Sequence, residues 1–109
     1  MNTKKSIIHL VRESAKKKIL FLPHAIQQMS RTDRMISTSE VHRVIDKGEL
    51  IEDYPEDVRG HSCLILGCGE DDRPIHIVSS PKEDYLAIIT AYLPDSEQWE
   101  DSFRKRKKK

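Results

Sequence analysis

Residues 73–95, RPIHIVSSPKEDYLAIITAYLPD, constrain the fold more than any other stretch. A β-branched run from Arg73 to Ser79 and an apolar run from Tyr85 to Leu93 flank the polar turn Ser80-Pro81-Lys82-Glu83-Asp84. Two such runs with a short polar link predict an antiparallel pair, because so short a link cannot make a parallel crossover. The mean hydropathy of the chain is only −0.63, so this pair is expected at the centre of the core. Side chains alternate along a strand. Pro74, His76 and Val78 are therefore expected on one face, and Leu86, Ile88, Thr90 and Tyr92 on one face. Pairing even with even positions gathers His76, Thr90 and Tyr92, and a slip of one residue separates them. A histidine and a tyrosine satisfied by core neighbours explain the pattern as well as chemistry does.

The flanks complete an α+β reading. Ile7, Ile8, Leu10, Val11 and Ala15 form one stripe of a helix expected over 3–18, with Lys16–Lys18 at its end. Ile19 to Leu22 is short enough to be a strand, and Pro23 opens a second helix running to Thr32. Ser37-Thr38-Ser39-Glu40 is a capping-box signal for a third helix, which Gly48 ends. Glu49–Tyr54 and Ser62–Gly67 read as further strands, and Asp95 with Gln98 as the cap of a last helix carrying Trp99 and Phe103. The expectation is an antiparallel sheet of about four strands, with helices on one face and the other face open beside His76.

The chain has 109 residues, which suits a single domain, expected over 1–103. Its net charge of +1 conceals a division. Residues 1–48 hold ten Lys and Arg against four Asp and Glu, a net of +6. Residues 49–103 hold three against fourteen, a net of −11. The final six residues, RKRKKK, add +6 and are expected to form a disordered basic tail at 104–109. A basic first half can meet phosphates, and the acidic second half opposes them. No apolar run approaches the ~20 residues of a membrane span, and no signal-peptide core is evident. A cytoplasmic protein without membrane attachment is expected, and two cysteines make no disulfide framework.

His61, Cys63, Cys68 and His76 are able to bind metal, but they lack paired CxxC spacing, so no metal or other cofactor is expected. No phosphate loop, dinucleotide fingerprint or serine elbow is present. What remains is a set of proton-transfer and phosphate-binding types, including His24, Arg31, Arg34, Arg73, His76 and Tyr92. RNA cleavage by its own 2′-hydroxyl requires a base, an acid and positive charge on the phosphorane, and no metal. Two histidines with arginines supply all three.

The runs HAIQQMSRTDRMISTSEVHRVIDKGELIEDYPED, RGHSCLILG and RPIHIVSSPKEDYLAIITAYLPD resemble a small bacterial family of domains of unknown function. The resemblance implies relationship to the RelE-like ribonuclease fold, with BrnT- and MqsR-like toxins. It further implies a metal-independent endoribonuclease, RNA as substrate, and an antitoxin partner of zinc-finger or helix-turn-helix type. His24, His76 and Tyr92 would then be catalytic, and Arg31, Arg34, Arg73 and Thr90 would bind RNA. The competing expectation is a non-catalytic protein- or RNA-binding module on the same fold.

Overall fold

The computed structural model describes residues 6–108. The expected helical start at residues 3–5 and the last tail residue, 109, lie outside them. Helix α1 spans Ile7–Lys17, capped by the Ser6 hydroxyl, which accepts from the His9 amide. Ile7, Val11 and Ser14 are its buried stripe, with Ile8 and Ala15 half-buried beside them. Lys16 to Lys18 stay exposed. Strand β1 (Ile19–Phe21) leads to α2 (Pro23–Met29), three residues shorter than expected at its end. Helix α3 (Thr38–Lys47) begins with the complete capping box, Ser37 and Glu40 each bonding the other's amide. Gly48 is its C-cap, and want of space requires a glycine there. A Cβ there would lie 2.5 Å from the Val44 carbonyl and 2.7 Å from that of Leu66. Its φ of −74° is open to any residue, so conformational freedom is not the reason for the glycine.

Four strands follow: β2 (Glu49–Tyr54), β3 (Ser62–Cys68), β4 (Pro74–Pro81) and β5 (Leu86–Tyr92). They form the expected antiparallel meander. The sheet has five strands instead of about four, in the order β1-β5-β4-β3-β2. It is mixed, because β1 lies parallel to β5, with Ile19 opposite Leu86 and Phe21 opposite Ile88. Everything from α2 to β4 lies between β1 and β5 in sequence, so the crossover a parallel pair requires is available. Among the described residues no helix is long and apolar enough to cross a membrane.

Two bulges set which side chains share a face. One interrupts the β2–β3 register between Leu50 and Glu52. The other interrupts β4–β5 between Val78 and Ser79, so that Val78 meets Thr90 while Ser79 meets Ile88. An extra residue inverts the alternation. Leu86 and Ile88 therefore join Ile65, Ile75, Ile77 and the helices in the main core. Thr90 and Tyr92 turn to the opposite face, which corrects the expectation that all four share one side.

That opposite face is not open. The expected helix after Asp95 is replaced by turns and a two-stranded hairpin of β6 (Trp99–Glu100) and β7 (Lys105–Arg106). Asp101, Ser102 and Phe103 at its turn all take positive φ, 54°, 55° and 71°, which no helix tolerates. The basic stretch expected as a loose tail thus contains a strand. Arg104 bonds both Glu49 carboxylate oxygens, at 3.0 and 2.9 Å. Arg106 bonds both oxygens of Glu52, at 2.9 and 3.0 Å.

Candidate functional site

The second sheet face is built from the middle strands outward. The β3–β4–β5 register aligns Leu66, His76 and Tyr92 in one row. The β2 bulge turns Glu52 opposite Leu64, and so toward this row. The hairpin then lays Trp99, Phe103 and Arg106 over it. His76 is wholly buried. Its Nε2–H donates to the Phe103 carbonyl at 2.9 Å, since a carbonyl can only accept. Nδ1 is then the unprotonated nitrogen and accepts the Tyr92 hydroxyl at 3.1 Å. The Trp99 ring stands edge-on to the imidazole, with centroids 4.4 Å apart, and the Arg106 guanidinium lies 4.7 Å over Trp99.

Electrostatics follow from this packing. Burial pushes the His76 pKa below its ordinary 6.5, outweighing the favourable bond to Phe103, so the imidazole is neutral near pH 7. Burial likewise raises the Tyr92 hydroxyl. Burial would raise Glu52 too, but hydrogen bonds from Arg106 and Tyr54 prevail and its carboxyl is lowered. Tyr54 is pushed up to about 12, first by burial and then by its bond to Glu52. A neutral imidazole, two phenols, a carboxylate and a guanidinium thus form one connected cluster. Its guanidinium, that of Arg106, is held by both oxygens of Glu52.

The other residues singled out in the sequence lie elsewhere. His24 is exposed on α2, whose Ala25 and Met29 enter the same core as Ile75 and Ile77. His76 points away from that core, so the two histidines are not brought together. Arg31 is exposed beside Asp33, at 3.4 Å. Arg34 is largely buried, with Asp33 3.7 Å from its Nε. Thr90 is half-buried on the His76 face, opposite Val78. Arg73 is engaged inside the fold. It meets the Glu40 carboxylate at 3.0 and 2.8 Å and caps the carbonyls of Arg34 and Met35. Glu40 also accepts the Glu70 amide at 2.8 Å, so one buried carboxylate ties α3 to the start of β4.

Comparison with family profiles places residues 21–93 in a family described as a domain of unknown function, DUF4258. The chain belongs to the DUF4258 family. The match runs from the end of β1 to just beyond β5, and so includes His76, Tyr92 and Glu52. Within this chain, α1 and the β6–β7 hairpin flank the DUF4258 segment. No curated protein and no solved structure matches the chain.

The sequence reading missed Glu52, Tyr54 and Arg106 as members of the cluster. Glu52 and Tyr54 are separated by two positions on a strand, which is the available signal that they share a face. Arg106 gives no such signal, because only the hairpin carries it back across the sheet.

Proposed function

We propose that this DUF4258 protein is a metal-independent endoribonuclease of toxin type on a RelE-like fold, with the His76 face as its reaction surface. One observation supports the reading: an imidazole, two phenols and a guanidinium stand together on the sheet face opposite the helices. An imidazole with one unprotonated nitrogen, the form His76 has here, is the form that takes the 2′-hydroxyl proton. The 2′-oxygen then attacks phosphorus, the bond to the 5′-oxygen breaks, and a proton passes to that leaving oxygen. Tyr92 would supply it once its hydroxyl has left His76 Nδ1, the nitrogen that takes the 2′ proton. The products are a 2′,3′-cyclic phosphate and a 5′-hydroxyl. The Arg106 guanidinium, paired here with Glu52, would meet the phosphorane charge on leaving that carboxylate. His24 has no part in this arrangement. An antitoxin that masks the face fits the toxin reading.

The second reading is a non-catalytic binding module, and the complete burial of His76 under the hairpin favours it. Both imidazole nitrogens are occupied, so His76 meets substrate only after residues 99–106 lift.

The deciding experiment incubates the purified full chain with mixed single-stranded RNA in EDTA and assays 2′,3′-cyclic phosphate ends. Cleavage by wild type, lost at least ~100-fold in His76→Gln and Tyr92→Phe variants of unchanged melting temperature, is the expected result. Intact RNA in the presence of folded, partner-free wild type overturns the enzyme reading in favour of the binding module.

A further inference from the structure

The helical side of the molecule carries a groove of about 400 Å³ between α1 and α3. Ala15, Ile19 and Ile45 contribute its apolar lining, while Arg12, Lys16 and Arg43 contribute cations. A second opening, of about 500 Å³, lies between the end of α3 and the turn of the β6–β7 hairpin. Arg43 lines both, which makes them neighbours. The second adds Lys47 and Arg104 and reaches Leu66 and Phe103. Leu66 pairs with His76 in the sheet, and Phe103 gives its carbonyl to the His76 ring. The two openings therefore join the basic helical side to the His76 face around the end of the sheet.

How the cations are held matters more than how many there are. Arg12 is fixed by main-chain carbonyls, donating Nε to Ile45 at 3.0 Å and Nη2 to Gly48 at 2.7 Å. Arg43 donates to the Gly69 carbonyl at 3.4 Å. A carbonyl positions a guanidinium without cancelling its charge, and each arginine has donors left over. The nearby carboxylates differ. Asp46 lines the first opening, 3.7 Å from Lys47, and Glu49 lines the second, paired with Arg104. These pairs add no net charge, and among the described residues the track's cations outside them are Arg12, Lys16 and Arg43. Asp72 is the further acidic group lining the second opening.

We infer that single-stranded RNA binds along this track, its phosphates on Arg12, Lys16 and Arg43 and a base against Phe103, and so arrives at the edge of the His76 face. This rests on the RNA reading above and names the path by which the strand reaches the site. Fixed cations beside an apolar lining, with an aromatic ring at the far end, are the elements of a sequence-tolerant single-strand groove.

The test measures fluorescence anisotropy of a labelled twelve-nucleotide oligouridylate with the full chain over a series of salt concentrations. Lys16→Glu and Arg43→Glu should each weaken binding about tenfold at low salt. Arg43→Gln should reduce the slope of log affinity against log salt by about 0.7, the share of one single-strand phosphate contact. Arg59→Gln, on the β2–β3 turn beside Asp57, should leave affinity unchanged. Melting temperatures of all variants are compared first. If wild type binds the oligonucleotide and both Glu variants bind it equally well, the track is overturned while the RNA reading survives. If wild type binds no RNA at low salt, both fall. If oligoglutamate binds with the same affinity and the same sensitivity to Lys16→Glu, the groove is a docking site for acidic protein segments, and the RNA path is overturned.

Discussion

His76 illustrates how one buried polar side chain is made tolerable. Both ring nitrogens have partners, Phe103 and Tyr92, and two aromatic rings stand edge-on around it. An unpartnered imidazole at zero exposure would be costly. Neutrality has a pH consequence with a definite sign. The folded-state pKa lies below 6.5, so as pH falls the unfolded chain takes up this proton first. The contribution of His76 is complete above about pH 6.5 and declines as pH falls below it. The urea midpoint of wild type should therefore drop between pH 7.5 and 5.5 more than that of His76→Phe. Parallel pH profiles for the two proteins would show that His76 does not titrate differently on folding.

At the scale of elements, the β6–β7 hairpin matters most, because it decides whether the second sheet face is covered. Two residues per strand cannot hold a hairpin by ladder bonds alone. Its anchor is Trp99, which is 4% exposed and packs on His76, with Arg106 stacked above and paired to Glu52. Exposed ion pairs such as Arg106–Glu52 contribute little by themselves, so the tryptophan should dominate. Trp99→Ala is expected to cost about 3–5 kcal/mol in urea unfolding. A loss under about 1 kcal/mol would mean the hairpin lies loosely on the sheet. The two bulges belong to this scale as well. One inserted residue in β2 directs Glu52 to the hairpin side, and one in β5 directs Tyr92 there while leaving Ile88 in the main core.

At the scale of the molecule, among the described residues, two layers of unequal kind cover one sheet: helices α1, α2 and α3 on one face and a small hairpin on part of the other. The Glu40–Arg73 pair binds distant parts together, since its contacts reach the α3 cap, the Glu70 amide and the carbonyls at 34 and 35. Hydrogen bonding from Arg73 holds the Glu40 pKa down to about 2, against the opposing effect of burial. A carboxylate lowered in this way stabilises the fold above its unfolded value of 4.5 and loses that contribution as pH falls toward about 2. Glu40→Gln should cost about 2–3 kcal/mol at neutral pH, discounted because Arg73 is partly exposed. The variant should also show a flatter decline in stability below pH 4.5 than wild type. An equally steep acid decline would assign acid unfolding to other carboxylates.

Sequence by itself determined what local chemistry can specify. Ser37 and Glu40 announce their helix because a capping box is closed by residues three apart, and the central hairpin follows from two apolar runs and a short polar turn. Even-with-even pairing of His76 with Tyr92 was one of two registers open to the sequence, and the fold adopts it. Tertiary structure decided the rest, because the deciding contacts join residues far apart in the chain. The parallel seat of Ile19–Phe21 against β5 depends on a crossover of more than sixty intervening residues. Arg73 reads as a phosphate ligand until Glu40, thirty-three positions away, occupies it. The inverted faces around both bulges depend on how β2 pairs with β3 and β5 with β4, and the covering of His76 depends on Trp99 and Phe103, more than twenty positions away. No local pattern in the sequence encodes those long-range pairings.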